Sequence, residues 1–277
     1  MKKALTFLLL AALLATPLVG CDNGDSDEPA KTSTGNNVNN IPEYNAADAN
    51  PASDFEYKVG EDGVTITKYI GTDTDVVIPE KIEGKAVTAI GESAFSSNKT
   101  LVSAAMPDSV IHIDAVAFYN CDLLTTIRLS QNLERIRNEA FLNCDKLSTI
   151  ALPESLYLIG SRAFAYCPSL KQITIPAKCF QIINGVGYYE ATAAFGHSGL
   201  ETLIISEGVQ VLPYAVFDNI NIKEVVIPAS VETIKSTAFR SCSLLTVYCE
   251  PDSMPEGWEG DYLFYDAKEV IWGYKES

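Results

Sequence analysis

The chain is poor in the residues that most enzymes and nucleic-acid binders depend on. Of 277 residues only two are histidine, His112 and His197, which excludes a histidine-rich metal site. Basic residues are also scarce, 20 Lys and Arg against 36 Asp and Glu, for a net charge of −16. A nucleic-acid binder needs a positive face to neutralise phosphates, and this composition does not offer one. No C-x-x-C pair occurs, and beyond the first residues no apolar run approaches the ~20 residues that span a bilayer. Hydrophobic residues still make up 47% of the chain, so most of it is expected to fold.

The one long apolar run stands at the start. Lys2 and Lys3 precede Ala4 to Leu14, followed by Ala15-Thr16-Pro17. A charged start, a short apolar stretch and a small-residue exit read as a secretory signal over residues 1–20. The exit Leu18-Val19-Gly20-Cys21 resembles a bacterial lipobox, in which cleavage leaves a lipid-modified N-terminal cysteine. The resemblance makes Cys21 the lipidation site and places the chain on a membrane of the cell envelope, the outer membrane in a Gram-negative cell. Cleavage there removes two lysines and no acids, so the net charge moves from −16 to −18.

Residues 22–53 carry six acids, one lysine, seven asparagines and only three large apolar side chains. Such a stretch buries too little surface to offset its ordering entropy, and 21–53 reads as a disordered tether of roughly 30 Å. Asp22, Asp25, Asp27 and Glu28 cluster behind the cysteine. That cluster resembles the acidic export tag of some surface lipoproteins, and reads equally well as a solvated linker.

Residues 54–277 repeat. Phe95, Phe118, Phe141 and Phe164 each follow an alanine and are 23 residues apart; Phe195 follows after 31, and Phe217 and Phe239 after 22 each. LLTTIRLSQNLERIRNEAFLNC (123–144), KLSTIALPESLYLIGSRAFAYC (146–167) and IKEVVIPASVETIKSTAFRSC (222–242) are one unit. L-x-x-I-x-I suits a short strand with one face inward. Pro79, Pro107, Pro153, Pro176 and Pro228 stop that strand, because proline has no ladder N–H; Ser130 and Ser206 take the same place. The Ala-Phe step turns the chain back and should stack the phenylalanines into a column. No unit buries its apolar face alone, so the units must stack. Eight rungs are predicted, starting near Val76, Ala104, Ile127, Ile150, Ile173, Leu203, Val225 and Val247.

This pattern resembles the BspA-like leucine-rich repeat family, the 23-residue class also described from treponemal proteins, over roughly 54–277. The segment TITKYIGTDTDVVIPEKIEGKAVTAIGESAF (65–95) looks like that family's opening repeat. The resemblance implies a leucine-rich repeat solenoid. It would be a curved right-handed superhelix, mainly β, with a parallel sheet on one face and turns or short 3-10 pieces on the other. It also implies a surface-exposed or secreted protein, associated in some members with adhesion to host proteins or other cells.

Two caps are expected. Glu61-Asp62-Gly63 between alternating segments signals a hairpin over the first rung. Trp258, Tyr262, Phe264, Tyr265 and Trp272 would close the other end. Cys121, Cys144, Cys167 and Cys242 each lie three residues past a column phenylalanine. A small, buryable side chain explains that position, and free buried thiols are the favoured reading. A rung spacing of ~4.8 Å does not by itself forbid a bridge.

The outward sheet position runs Val77, Ala105, Arg128, Ala151, Thr174, Ile204, Val226 and Tyr248. It holds no paired carboxylates for acid–base work, and an apolar sheet face suggests protein contact. The rhythm breaks once: 19 residues separate Pro176 from Phe195 where neighbouring units use 11. The extra residues fall near Asn184 to Glu190. Insertions in solenoids emerge as loops on one face, and Tyr188, Tyr189 and Glu190 offer contact area. These three, with Arg128, Ile204, Val226 and Tyr248, are the candidate binding residues. Neither histidine sits in a recognisable triad. Asp108-Ser109-Val110 and Asp252-Ser253-Met254 resemble a short bacterial O-glycosylation signal. The sequence therefore points to a lipid-anchored, non-enzymatic recognition or adhesion module without cofactor or metal. Its partners would be host or bacterial surface proteins, or glycans, and not nucleic acid. The alternatives are a self-associating scaffold and an accessory lipoprotein of an envelope complex.

Overall fold

Each predicted rung becomes a short strand with its central residue buried. The computed structural model describes residues 41–180, 193–259, 263–264 and 266–275, and the backbone of 182–183 and 186–187. All lie in one unit, Asn37–Ser277. Residues 1–40 lie outside the described residues, and with them Cys21, the signal and most of the tether.

The first ladder is parallel throughout. Asp75–Val77, Ser103–Ala105, Thr126–Arg128 and Thr149–Ile150 form one hydrogen-bonded run. Gln172–Ile175 pairs with Thr202–Ile205, and Glu224–Ile227, Thr246–Cys249 and Glu269–Trp272 form a third run. Inward residues Val76, Ala104, Ile127, Ile150, Ile173, Leu203, Val225 and Val247 are all buried. Glu269–Trp272 is a further rung beyond the eight read from the repeat.

A second ladder, not expected from the sequence, lies past the proline or serine that ends the first strand of each unit. Lys85–Ile90, His112–Ile113, Arg135–Ile136 and Leu158–Ile159 pair in parallel, as do Val211–Leu212 and Thr233–Ile234. Its inward residues are the isoleucines of the second half-repeat, Ile90, Ile113, Ile136, Ile159 and Ile234, with Leu212 in register. Beyond Lys85–Ile90 each rung has two residues, too few for an alternation signal, which is why the pattern reads as a turn.

The remaining side carries the Ala-Phe turn. A left-handed residue precedes and follows it in unit after unit, for example Glu139 and Asn143, or Arg162 and Tyr166. Val116, at φ 52, holds this conformation despite its branched side chain. The turn lets each phenylalanine amide donate to the next unit: Phe118 N to Ala140 O at 2.8 Å, Phe141 N to Ala163 O at 2.8 Å.

The phenylalanine column forms and is longer than the repeat. Phe95, Phe118, Phe141 and Phe164 stack at 4.8, 5.1 and 5.1 Å, nearly parallel. The step across the insertion is 5.3 Å, so the extra residues leave the core spacing unchanged. The hairpin Phe55–Val59 and Val64–Tyr69 caps one end, with Tyr69 stacked on Phe95 and Phe55 against Tyr69. At the other end Phe264 meets Phe239, and Trp258 packs against Phe264 and Trp272. Tyr262 and Tyr265 lie outside the described residues.

The six described cysteines are unbridged and buried. Cys121, Cys144, Cys167 and Cys242 each donate a thiol proton to a phenylalanine carbonyl of the preceding unit (Phe95, Phe118, Phe141, Phe217) at 3.1–3.2 Å. That weak donor, on a side chain small enough for the turn, accounts for the cysteine column. Burial pushes the Cys121 and Cys167 thiols up to about 12.

Composition alone runs the tether to residue 53, yet within 41–53 Tyr44 and Asn50 bond to the first rung. Asn50 is buried and acts as a substitute strand: its amide N–H donates to Val77 O at 2.9 Å, and its side-chain oxygen accepts from Val77 N at 2.9 Å. The free edge of Asp75–Val77 is thereby satisfied. Averaging over 22–53 hides this, because a single asparagine makes the contact.

Candidate functional site

The sheet face carries two outward rows, and the first ladder sets both. One row is polar: Asp75, Ser103, Thr126 and Thr149 in register, then Gln172 beside Thr202, then Glu224, Thr246 and Glu269. The other is the expected contact row. Val77, Ala105 and Arg128 are in register, Thr174 pairs with Ile204, and Val226 pairs with Tyr248. Tyr248 pairs in turn with Ile271, which the repeat pattern does not reveal because it fades there. Ala151 follows the strand Thr149–Ile150 and is exposed.

The two halves of this face differ. In the first half the chain covers itself. Tyr44 donates its phenol to Ile78 O at 3.1 Å, and its ring lies under the Arg128 guanidinium at 5.5 Å. Arg128 also donates to Met106 O and pairs with Asp108 at 3.0 Å, so its charge is spent inside the molecule. Ala105 in the same row is only 2% exposed. Arg128 is one of the expected binding residues, and its guanidinium lies over the Tyr44 ring of the 41–50 segment.

In the second half the row is open. Ile204 is 42% exposed, and Val226, Tyr248 and Ile271 are half-buried. Tyr274 turns back onto Tyr248, with ring centroids 5.0 Å apart. Carboxylates border the row on both sides. Burial raises the Tyr248 phenol pKa, and the nearby Glu224, Tyr274 and Glu269 raise it further. Past the strand ends Glu207 and Glu250 crowd each other; burial and the Glu250 carboxylate hold the Glu207 carboxyl above its ordinary value. Glu250 accepts from Ala229 N at 2.8 Å.

The insertion contributes a short antiparallel pair, Ile182–Ile183 with Val186–Gly187. Tyr188, Tyr189 and Glu190 lie outside the described residues. His112 sits in the second ladder between Ala89 and Arg135. Burial, then Arg135, lowers its pKa. His197 stacks on Tyr166 at 4.8 Å and meets Asn219 at 2.8 Å. Among the described residues neither histidine is hydrogen-bonded to a serine hydroxyl or a carboxylate. No group of three His, Cys, Asp or Glu among the described residues is placed to hold a metal ion.

With the ladders in place, the comparison with known families is decisive. The model of the BspA type leucine-rich repeat region matches six copies, over residues 74–192 and 189–265. The chain belongs to the BspA-type leucine-rich repeat family. A leucine-rich cell surface protein of Faecalibacterium prausnitzii is 28% identical with a TM-score of 0.64; the match covers 77% of this chain and 57% of that one. The leucine-rich repeat protein of T. pallidum is 28% identical with a TM-score of 0.55, covering 75% of this chain and 83% of that one. One from Bacteroides ovatus, 23% identical with a TM-score of 0.63, covers 78% of this chain and 56% of its own and shares the fold. No curated protein matches. This is a leucine-rich repeat protein of the bacterial surface-protein type.

Proposed function

We propose that the chain is a lipid-anchored recognition module of the bacterial envelope, without catalytic activity, that binds protein through its sheet face. The observation that carries this reading is the open row Ile204, Val226, Tyr248 and Ile271. An exposed Ile204 in line with half-buried Val226, Tyr248 and Ile271, where among the described residues only Tyr274 folds over the row, suits a protein partner. The description of the Faecalibacterium relative as a cell surface protein supports the location, and the Leu18-to-Cys21 lipobox supports the anchor. Many tethered copies would let each contact be weak and still hold a cell. The 184–190 segment, with Tyr188, Tyr189 and Glu190, is the second contact region of this reading.

The test has two parts. Cys21→Ser should release the protein from the membrane fraction; unchanged membrane retention would remove the anchor. A screen of the full chain against purified host proteins and glycans should yield a ligand whose capture drops on Tyr248→Ala and on Tyr188→Ala with Tyr189→Ala. Capture indifferent to both would remove the sites. A self-associating scaffold is the second reading, favoured by the strand Glu269–Trp272. Among the described residues it pairs only with Thr246–Cys249 and leaves one edge open. Sedimentation of the full chain separates the two.

A further inference from the structure

The open half of the sheet face also specifies the shape and charge of what lies on it. We propose that its occupant is an amphipathic α-helix of the partner protein, lying across the strands along the stacking direction. Its apolar stripe would be flanked on both sides by lysine or arginine. This rests on the sheet face being the docking surface.

The pitch of the row argues for a helix. Ile204, Val226, Tyr248 and Ile271 each come from a successive rung. Hydrogen-bonded neighbouring strands lie ~4.8 Å apart, so Val226, Tyr248 and Ile271 recur at about that interval, and Ile204 continues the row from the adjoining rung across a break in the sheet. A helix lying along the row presents its apolar stripe once per turn, every ~5.4 Å. An extended segment lying the same way presents same-side residues every ~6.8 Å. Across three intervals the helix drifts from the row by about 2 Å and the extended segment by about 6 Å. Only the helix keeps four contacts in step.

The borders give the charge. On one side Glu224 and Glu269 stand two rungs apart, separated by Thr246 in the same register. That is roughly 10 Å, close to the rise of two helical turns, so residues i and i+7 of one helix flank reach both. On the other side Glu207 and Glu250 crowd each other past the strand ends. A cation placed there relieves their repulsion. Within the two outward rows the only basic side chain is Arg128, and it is held by Met106 O, Asp108 and the Tyr44 ring. On the open half the lysines stand outside the two rows: Lys223 and Lys268 precede Glu224 and Glu269 in sequence, and Lys275 donates to Glu250 O at 3.4 Å.

The experiment selects a displayed library of random peptides, each about 18 residues or five helical turns long, on the purified full chain. Winners should carry apolar residues at the 3.6-residue period with lysine or arginine beside the stripe. Their binding should fall about tenfold on Tyr248→Ala, a change at the centre of the row. It should also fall on the double change Glu224→Gln with Glu269→Gln, and hold on Glu61→Gln with Asp62→Asn at the distant hairpin turn. Thermal unfolding of each variant should match the parent. Winners that lose binding on Tyr248→Ala but alternate apolar and polar residues, or carry acids, overturn the helix and leave the docking face standing. Winners indifferent to Tyr248→Ala overturn the docking face itself. Equal loss on the hairpin-turn variant reduces the effect to general attraction by an acidic protein and overturns the proposal.

Discussion

The two halves of the sheet face are built from the same repeat, yet one is closed and the other open. In the first, Asn50 satisfies the edge of Asp75–Val77, and Tyr44 lies over the row beneath Arg128. In the second, Ile204, Val226, Tyr248 and Ile271 follow one another, and among the described residues only the Tyr274 ring, on Tyr248, folds over them. The contrast separates two jobs of a repeat. The inward residues and the phenylalanine column are shared and hold the stack together. The outward residues are free to differ from unit to unit.

The costliest substitutions test the shared part. Phe118→Ala in the first half and Phe217→Ala in the second should each cost about 3–5 kcal/mol in denaturant unfolding, because both rings are fully buried in one column. A cost confined to one half would mean that the column is not a common core.

Asn50→Ala comes next and should act on the first half alone. It leaves Val77 N–H without its side-chain acceptor and removes the donor to Asp73, 2.8 Å away. The expected loss is about 1–3 kcal/mol. Hydrogen exchange should quicken at Asp75–Val77 and stay unchanged at Glu224–Ile227. Equal loosening of both would erase the distinction between the halves.

Thiol chemistry should be silent in both halves. Burial pushes Cys121 up to about 12 and Cys242 up to about 11. Alkylation at pH 8 should therefore follow unfolding rather than precede it. Fast labelling of native Cys242 alone would show that the second half opens locally.

The slightest change belongs to the open half. Glu207 has a folded pKa above its unfolded value, so the stability it contributes is present at low pH and lost as pH rises through the folded value. Glu207→Gln should raise the melting temperature slightly at pH 7 and leave it unchanged near pH 4. A drop at pH 7 would mean that the Glu207 carboxylate is favourably paired.

Much of this architecture is legible in the amino-acid sequence. The recurring strand-stop-turn pattern locates all eight expected rungs, because each turn of the stack repeats one local problem. The cysteine column and both caps follow from the same reasoning. The second ladder is not legible, since beyond Lys85–Ile90 two residues per rung give no alternation to read. Neither is the 41–53 segment: Asn50 and Tyr44 are isolated in sequence, and only the edge of Asp75–Val77 and the guanidinium of Arg128 give them a purpose. In the contact row, Ile204, Val226 and Tyr248 follow from the repeat position. Ile271 escapes it where the repeat fades, and the contact of Arg128 with Tyr44 is not legible in the repeat.

The stack itself is written locally, because period, proline stops and buried columns are properties of each unit, repeated until they add up to a solenoid. Which half of the sheet face is covered is settled by tertiary contact alone. That outcome depends on where a non-repeating segment docks, and the contact between Tyr44 and Arg128 joins residues 84 positions apart. No local pattern encodes such a meeting; it exists only once the rungs have brought Ile78 and Arg128 within reach of one tyrosine ring.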